Sequence, residues 1–142
     1  MSGQVFRCTF TVRFGDCDPA AIVFYPRYVE MLNNVCEEWF EKALDLPWGR
    51  MHATEHRGMP IVDLHVRFLK PSRLSEKLDF SLVMTRLGRS AVELEIVAEC
   101  DDERRLDARL KVVHSDLRGP RAIPIPPDLR ERMKPFLVES GT

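Results

Sequence analysis

The chain has 142 residues, of which 44% are hydrophobic and 30% charged, and its formal net charge is −1. This length suits one domain with a substantial core, and this composition is typical of a soluble globular protein rather than a disordered one. A charge so near zero gives no global attraction to nucleic acid, and no apolar run reaches the length of a membrane span. We therefore expect a single domain over residues 1–142, with no nucleic-acid partner and no stable membrane insertion.

The cysteines indicate a reducing compartment. All four are scattered, none forms a Cys-x-x-Cys pair, and the N-terminus lacks the basic-then-apolar pattern of a secretion signal. We expect reduced thiols in a cytoplasmic protein. No group of His, Cys and carboxylate residues has metal-ligand spacing, so no metal site is predicted.

The first two predicted elements are a strand and a long helix. Residues 6–14 alternate between apolar and polar side chains, which predicts a half-buried strand. From Pro26 to about Leu44 the period becomes helical, with apolar residues at steps of three and four: Tyr28, Leu32, Val35, Trp39 and Ala43. The apolar stripe is broad, so we expect this helix to be deeply embedded.

Four more strands follow, at about 61–69, 78–85, 92–100 and 106–116, each with one apolar and one polar face. Short turns between the later strands favour antiparallel hairpins. A short helix is predicted over 128–137, with Asp128 as its N-cap. The pattern indicates an α+β fold, in which one antiparallel sheet of five strands wraps one long central helix. One helix cannot cover so large a sheet, which favours a homo-oligomer.

The stretch from Phe14 to Tyr28, between the first strand and the helix, is the strongest candidate for a catalytic site. Asp16 and Asp18 precede a small apolar run, and Pro26 opens the helix at a position where proline is favoured. The acids could simply form turns. Alternatively, one carboxylate acts as nucleophile or general base beside the free N–H groups of the helix start, which would polarise a carbonyl. Spacing does not distinguish the two acids.

Other catalytic patterns have less support. Cys17 lies between the two acids, which would raise the pKa of its thiol, and no His is near it in sequence. There is no Gly-x-Ser-x-Gly nucleophile elbow, no Gly-rich phosphate loop and no dinucleotide fingerprint.

Three further places could contact a ligand. Arg86, Arg89 and Ser90 lie at a predicted hairpin turn, which is either solvated or a cradle for phosphate groups. Pro60, within the segment Gly-Met-Pro-Ile-Val-Asp, either sets the chain direction or leaves room for a ligand beside the backbone. Asn33, at the edge of the helix stripe, is a surface amide or a polar contact for a buried substrate, and the surface role is slightly favoured.

The sequence Phe-Gly-Asp-Cys-Asp-Pro-Ala-Ala-Ile-Val-Phe-Tyr-Pro, ending at Pro26, resembles the hotdog-fold acyl-CoA thioesterases. In particular it is similar to the 4-hydroxybenzoyl-CoA thioesterase family of pseudomonad type. Supporting segments are Gly-Met-Pro-Ile-Val-Asp, Arg-Leu-Gly-Arg-Ser and the terminal Ala-Ile-Pro-Ile-Pro. The resemblance covers nearly the whole chain and implies a long helix wrapped by a curved antiparallel sheet.

The resemblance implies roles for individual residues. The second acid of the motif, Asp18, would attack the thioester carbonyl to give an acyl-enzyme anhydride that water cleaves. Base activation of water by the same carboxylate is the competing route. The backbone N–H of Tyr25 would polarise the carbonyl. Coenzyme A would lie at a subunit interface with its phosphates on Arg86, Arg89 and Ser90. It would enter as part of the substrate, with no further cofactor, in a homotetramer built as a dimer of dimers.

Two departures bear on specificity. Gly88 interrupts a basic run that is denser in the pseudomonad type, and the segment Phe-Tyr-Pro lacks a His that related aliphatic enzymes often carry there. The absence of that His favours an aromatic acyl-CoA substrate such as 4-hydroxybenzoyl-CoA. The residues that would bind a ring hydroxyl, Asn33 included, are not assigned by the resemblance. The alternatives are a thioesterase for short or medium aliphatic chains, and a non-catalytic module that binds acyl-CoA or an acyl carrier.

Overall fold

The computed structural model describes residues 3–138, so the predicted domain span of 1–142 extends beyond it at both ends. Eight strands and two α-helices lie in this range. In chain order they are β1 (Phe6–Thr11), α1 (Tyr25–Lys42), β2 (Arg57–Gly58), β3 (Ile61–Phe68), β4 (Lys77–Leu87), β5 (Ala91–Cys100), β6 (Glu103–Val113), β7 (Ser115–Asp116), β8 (Arg121–Ala122) and α2 (Pro127–Met133).

The five longest strands form one antiparallel sheet in the order β1-β4-β5-β6-β3. Alternation explains the sheet, because successive side chains of a strand point to opposite faces. Along β4 and β5 the even-numbered residues other than Arg86 are buried and form much of the core: Leu78, Phe80, Leu82, Met84, Val92, Leu94, Ile96, Ala98 and Cys100. The predicted five-stranded antiparallel sheet and the α+β class are confirmed.

Helix α1 has 18 residues and begins after Phe24, whose backbone is extended, with Pro26 in the first turn. Its buried side chains join the same core as the sheet and recur at helical spacing: Tyr28, Met31, Leu32, Val35, Cys36, Trp39 and Phe40. Helix α2 adds Leu129 and Met133 to that core. The apolar face of the sheet is therefore covered by two helices, and the expectation of one covering helix was incomplete.

Two local predictions were wrong. Phe14 does not continue β1, which ends at Thr11; it lies in a 3-10 turn with its side chain 84% exposed. Asp128 does not cap α2, because Pro126 occupies that position. The Asp128 carboxylate instead accepts a hydrogen bond from Arg132 one turn later, at 3.3 Å.

Residues 49–59, which the sequence leaves as a loop or short helix, contain a π-helical turn at Arg50–Thr54 and then β2. Strand β2 pairs with β7, and β7 pairs with β8, in a second small sheet. These two-residue strands are too short for a periodic signal. Within residues 3–138, no helix combines the length and the apolar character that crossing a membrane requires.

Candidate active site

The segment that carries Asp18 folds into a small hairpin, which we call the acidic hairpin (residues 17–23), and Asp16 ends the 3-10 turn directly before it. Cys17 and Val23 form an antiparallel bridge, and the Asp18 N–H donates to the Ile22 carbonyl at 2.9 Å. The Ala21 N–H donates back to the Asp18 carbonyl at 2.9 Å. Ala21 has a φ of 61°, in the left-handed region that a residue with a Cβ adopts at a cost. The hairpin is therefore a tight and locally strained turn.

Asp16 and Asp18 both form local turns, as the simpler of the two hypotheses predicts. One oxygen of Asp18, Oδ1, accepts the Ala20 N–H at 2.8 Å, and Asp16 Oδ2 accepts the Arg13 N–H at 2.8 Å. Each carboxylate keeps its second oxygen without a protein hydrogen bond among residues 3–138. Turn formation thus leaves one oxygen of either acid available for chemistry.

The two acids face different clefts. Asp18 is the only charged residue lining a cleft of about 430 Å³, beside Phe14, Pro19 and Leu74. Asp16 lines a larger and more polar cleft of about 550 Å³. Asp18 therefore has mainly apolar neighbours in its cleft, whereas Asp16 shares its cleft with the charged side chains of Arg27 and Glu30.

The start of α1 offers an unused donor directly after the acidic hairpin. The Phe24 N–H donates to the Asp16 carbonyl at 2.9 Å, the Arg27 N–H donates to the Phe24 carbonyl at 2.8 Å, and Pro26 has no N–H. The N–H of Tyr25 has no hydrogen-bond acceptor in the part of the chain that the structure describes. It lies at the positive end of an 18-residue helix, where a developing negative charge is stabilised.

Aromatic side chains surround this helix start. The ring centroid of Tyr25 lies 5.5 Å from that of Phe24 and 6.3 Å from that of Phe68, and Tyr28 lies 5.6 Å from Phe68. Tyr25 is 63% and Phe68 49% exposed. Tyr25, Tyr28 and Phe68 line a largely apolar cleft of about 440 Å³ with Lys70 at its rim. The sequence analysis did not single out Phe68. Alternation groups it with Leu64 and Val66 on the apolar face of β3, but at the end of the strand its ring remains exposed.

Within residues 3–138, Asn33 and Pro60 form no hydrogen bond with each other, and Pro60 does not line the cleft that Asn33 lines. Asn33 is exposed on α1 and lines the same cleft as Asp16 and Ile61, the residue that follows Pro60. Pro60 is exposed, and its carbonyl accepts the Val113 N–H at 3.1 Å. The structure thus places Asn33 at a cleft beside the candidate segment and gives Pro60 a backbone role.

Arg89 and Ser90 lie in the turn between β4 and β5, which we call the basic turn, and Arg86 lies in β4 just before it. The side chains of Arg86 and Arg89 are exposed, and Arg86 has a loose ion pair with Glu93 at 3.7 Å. Arg130 of α2, which the sequence analysis did not identify, donates to the Gly88 carbonyl at 2.7 Å and to the Arg89 carbonyl at 3.2 Å. Arg130 therefore fixes the backbone of the turn. Within residues 3–138 the Arg89 guanidinium has no acidic partner and Arg86 has only the loose one, so both could bind an anion.

A buried histidine, His114, is hydrogen-bonded to the basic turn. The His114 N–H donates to the Ser90 carbonyl at 2.8 Å, and its ring lies 3.0 Å from the Pro124 carbonyl through Nδ1 and 2.9 Å from Arg57 Nη1 through Nε2. Since Arg57 can only donate, Nε2 must accept and Nδ1 must carry the proton. Burial and the neighbouring Arg57 charge lower the pKa of His114, so the ring is neutral.

The acidic hairpin and the basic turn lie at opposite ends of β4. Thr11 at the end of β1 pairs with Lys77 at the start of β4, whereas the basic turn follows Leu87 at its end. With 11 residues, β4 spans about 33 Å at about 3.3 Å per residue. The structure therefore does not bring Asp18 together with Arg86 or Arg89 within one chain.

The cysteines are all free, and Cys17 is not activated. Partial burial and then the charges of Asp16 and Asp18 raise the pKa of the Cys17 thiol, as the sequence predicts. One group of potential metal ligands was not predicted from sequence spacing: ligand atoms of Glu76, Cys100 and Asp101 lie within 4.8 Å of one another. Arg105 already donates to both Glu76 oxygens in this cluster, at 2.8 and 3.0 Å, and so compensates its charge.

A curved five-stranded antiparallel sheet packed on an 18-residue helix, with a tight acidic hairpin at the helix start, defines a protein of the hotdog thioesterase fold. The family assignment agrees with this class. The chain belongs to the thioesterase-like superfamily, whose family model matches residues 12–133.

Curated relatives include enzymes for different aromatic acyl groups. The 4-hydroxybenzoyl-CoA thioesterase of Pseudomonas sp. strain CBS-3 is 38% identical over 60 residues, or 41% of this chain and 42% of that enzyme. The 1,4-dihydroxy-2-naphthoyl-CoA hydrolase of Gloeothece citriformis is 28% identical and is matched over 59% of its length. The match thus spans about half the length of these two relatives. The corresponding hydrolase of Synechococcus elongatus is 26% identical over 90% of this chain and 85% of its own.

Solved structures agree on the fold. A gentisyl-coenzyme A thioesterase superposes with a TM-score of 0.79 at 25% identity, over 89% of this chain and 99% of that chain. The 4-hydroxybenzoyl-CoA thioesterase from Pseudomonas sp. strain CBS-3 gives a TM-score of 0.84 at 25% identity, over 92% and 99%. Because the relatives differ in acyl group, the pseudomonad subgroup stays a prediction.

Proposed function

We propose that this protein is an acyl-CoA thioesterase that hydrolyses an aromatic acyl-CoA to the free acid and coenzyme A. The observation that carries the proposal is the unused Tyr25 N–H at the start of α1, directly after a hairpin that holds the carboxylate of Asp18. A carboxylate and a fixed N–H donor are the two groups that acyl transfer requires: one to attack, the other to stabilise the oxyanion.

In the proposed mechanism Asp18 attacks the thioester carbonyl carbon. The carbonyl oxygen becomes an oxyanion that accepts a hydrogen bond from the Tyr25 N–H. The C–S bond then breaks, coenzyme A leaves as a thiolate, and the acyl group remains on Asp18 as a mixed anhydride. Water cleaves the anhydride and regenerates the carboxylate. In the competing route Asp18 removes a proton from water, which attacks the thioester directly, and Tyr25 keeps the same role.

The acyl group is a hydroxylated aromatic ring in this proposal. The relatives described above are named for 4-hydroxybenzoyl, gentisyl and 1,4-dihydroxy-2-naphthoyl groups, all of which are hydroxylated aromatic acyl groups. The exposed rings of Tyr25 and Phe68 beside the helix start suit an aromatic substrate, since aromatic pairs gain about 0.5–1.5 kcal/mol beyond simple burial. We propose 4-hydroxybenzoyl-CoA as the first compound to test.

Two subunits would share one substrate. With about 33 Å between the two ends of β4, the thioester at Asp18 and the phosphates of the same coenzyme A would meet different chains. We propose that Arg86, Arg89 and Ser90 of one subunit bind the phosphates while Asp18 of another attacks. Asn33 lines the Asp16 cleft of its own chain, so Asn33 and Pro60 would contact the acyl group from a subunit other than the one that supplies Asp18. Exposed Phe24, Tyr25 and Phe68 supply apolar surface for such an interface, in a cytoplasmic homotetramer of single-domain chains without a further cofactor.

A substrate panel tests the activity. Aroyl and alkyl CoA esters are supplied to the wild type, Asp18→Asn and Asp16→Asn, and the released thiol is measured with a thiol reagent. We expect aroyl esters to be preferred, and Asp18→Asn to lose activity by about 100-fold or more. The matched control Asp16→Asn, an acid that faces the other cleft, should retain far more activity.

Each other outcome has a definite meaning. Full activity in Asp18→Asn together with loss in Asp16→Asn would reverse the assignment of the carboxylate. A preference for alkyl chains would indicate an aliphatic thioesterase. Binding of coenzyme A without hydrolysis of any ester would indicate a binding module. A monomer in light scattering at assay concentration would contradict the shared site.

A further inference from the structure

Arg105, near the start of β6, is 5% exposed and lies among several acceptors. Its guanidinium donates to both oxygens of Glu76, at 2.8 Å from Nη1 and 3.0 Å from Nη2. Nη1 also donates to the Pro71 carbonyl at 3.1 Å and reaches the Ser72 hydroxyl at 3.3 Å, while Nε lies 3.0 Å from a Glu103 oxygen without hydrogen-bond geometry. Such a bidentate, largely desolvated pair is geometrically rigid, and losing either partner leaves an uncompensated charge.

All but one of these acceptors belong to the β3–β4 connection, residues 69–76. The Arg105 carbonyl also accepts the Leu69 and Lys70 N–H groups, at 2.8 and 3.2 Å. Glu76 binds the Arg73 N–H at 2.7 Å with its side chain and the Val12 N–H at 2.8 Å with its carbonyl. The connection is therefore fastened by Arg105 on one side and by the end of β1 on the other.

The same connection holds the acidic hairpin. The Val23 N–H donates to the Ser72 carbonyl at 2.9 Å, and the Leu74 N–H donates to the Ala21 carbonyl at 3.1 Å. Ile22 forms a bridge with Arg73 between these two contacts. The returning half of the hairpin is thus paired with residues 72–74, which Arg105 and Glu76 hold in place.

We propose that Arg105 and Glu76 are positioning residues that act on Asp18 through the β3–β4 connection. The proposal rests on the proposed thioesterase function. Ala21, in the left-handed region, has a strained backbone conformation that only surrounding contacts can maintain. Without the guanidinium fork, the connection and the hairpin are free to relax, and the carboxylate moves relative to the Tyr25 N–H. A displacement of about 1 Å at a reacting group can cost about 100-fold in rate.

Kinetics of Arg105→Met and Glu76→Gln test this role. We expect kcat for an aroyl-CoA to fall about 10- to 100-fold while KM changes little, because the lost interaction concerns alignment and not binding. The matched control is Arg67→Met, which removes an exposed bidentate pair with Asp107, at 3.0 and 2.7 Å, that does not contact the connection. This control should keep kcat within about twofold.

A double variant separates positioning from general destabilisation. If Arg105 acts through Asp18, then Asp18→Asn combined with Arg105→Met should be no slower than Asp18→Asn alone. Multiplicative losses, or an unchanged kcat in a folded Arg105→Met protein, would overturn the proposal. Glu76→Gln preserves side-chain volume and serves the same comparison if Arg105→Met does not fold.

Amide hydrogen exchange makes the inference independent of the activity. We expect the Val23 and Leu74 amides, which join hairpin and connection, to exchange at least about tenfold faster in Glu76→Gln, with central β5 amides as internal reference. If the wild type hydrolyses no thioester but these two amides exchange faster in Glu76→Gln, the thioesterase function fails and the role of Arg105 and Glu76 in holding the hairpin stands. Unchanged exchange at Val23 and Leu74 in Glu76→Gln would refute that role whatever the activity.

Discussion

Tyr25→Pro is the most direct test of the helix start, because it deletes one backbone hydrogen atom at the position proposed to stabilise the oxyanion. The substitution suits the local backbone. Proline is favoured in the first helical turn, and the residue before a proline must be extended, as Phe24 is with φ −72° and ψ 125°. No acceptor within residues 3–138 uses the Tyr25 N–H, so the fold loses no hydrogen bond.

The expected magnitude follows from one lost donor. Removing a single oxyanion donor typically lowers kcat by about 100- to 1000-fold, or about 2.7–4 kcal/mol of transition-state stabilisation. The lost Tyr25 ring adds a smaller effect, since it is 63% exposed and its contacts with Phe24 and Phe68 are edge-on. Such contacts contribute about 0.5–1.5 kcal/mol each.

Tyr25→Ala is the matched control, because it loses the same ring and keeps the N–H. The ratio of kcat between the alanine and proline variants therefore isolates the donor. The free energies of unfolding of the two variants, measured in urea, should agree within about 1 kcal/mol. KM should change little between them, since the donor acts mainly after the oxyanion has formed.

A small ratio would refute the reasoning. If the proline variant is folded by circular dichroism and its kcat lies within about threefold of the alanine variant, the Tyr25 N–H is not the oxyanion donor. A kcat ratio near one accompanied by a rise in KM would indicate a donor that binds the ground state as strongly as the transition state.

Three further outcomes are expected. Arg86→Ala and Arg89→Ala should mainly raise KM, measured with an aroyl-CoA, because they remove binding of a remote part of the substrate; an unchanged KM in both would exclude the basic turn as a phosphate site. Burial lowers the pKa of His114 below its usual 6.5, so the unfolded chain binds the proton first. Urea titrations should show stability falling as pH drops through 6.5, and His114→Gln, with a shallower slope there, would confirm the source. Gly58→Ala places a Cβ 2.9 Å from His52 Nε2 and should cost about 1–3 kcal/mol in unfolding; adding His52→Ala should recover most of that loss, and a persistent loss would contradict the steric cause.

The sheet was predictable because each long strand has one solvent face. In β4 the residues that alternation turns inward, from Leu78 to Met84, are all fully buried. Alternation does not say where a strand leaves the sheet, however. The Val12 N–H still pairs with the Glu76 carbonyl, but after Val12 the chain leaves the sheet. Phe14 is therefore exposed to solvent.

The supports of the candidate site were beyond sequence reasoning. Alternation that correctly turns Leu106 inward would turn Arg105 outward, yet Arg105 is buried because Glu76, 29 residues away, compensates its charge. Arg130 likewise fixes the basic turn from a distance of 42 residues. Such partners are set by how strands meet, and no local pattern records them. The assignment of Asp18 came from a family motif, because spacing treats both acids alike.

The length of β4 has a consequence for how the protein would be regulated. If the two ends of one substrate require two chains, catalysis is an outcome of association, and specific activity must depend on protein concentration. Dilution below the dissociation constant of the assembly would silence every chain at once, although each remained folded. Expression level would then set the activity per molecule as well as the number of molecules.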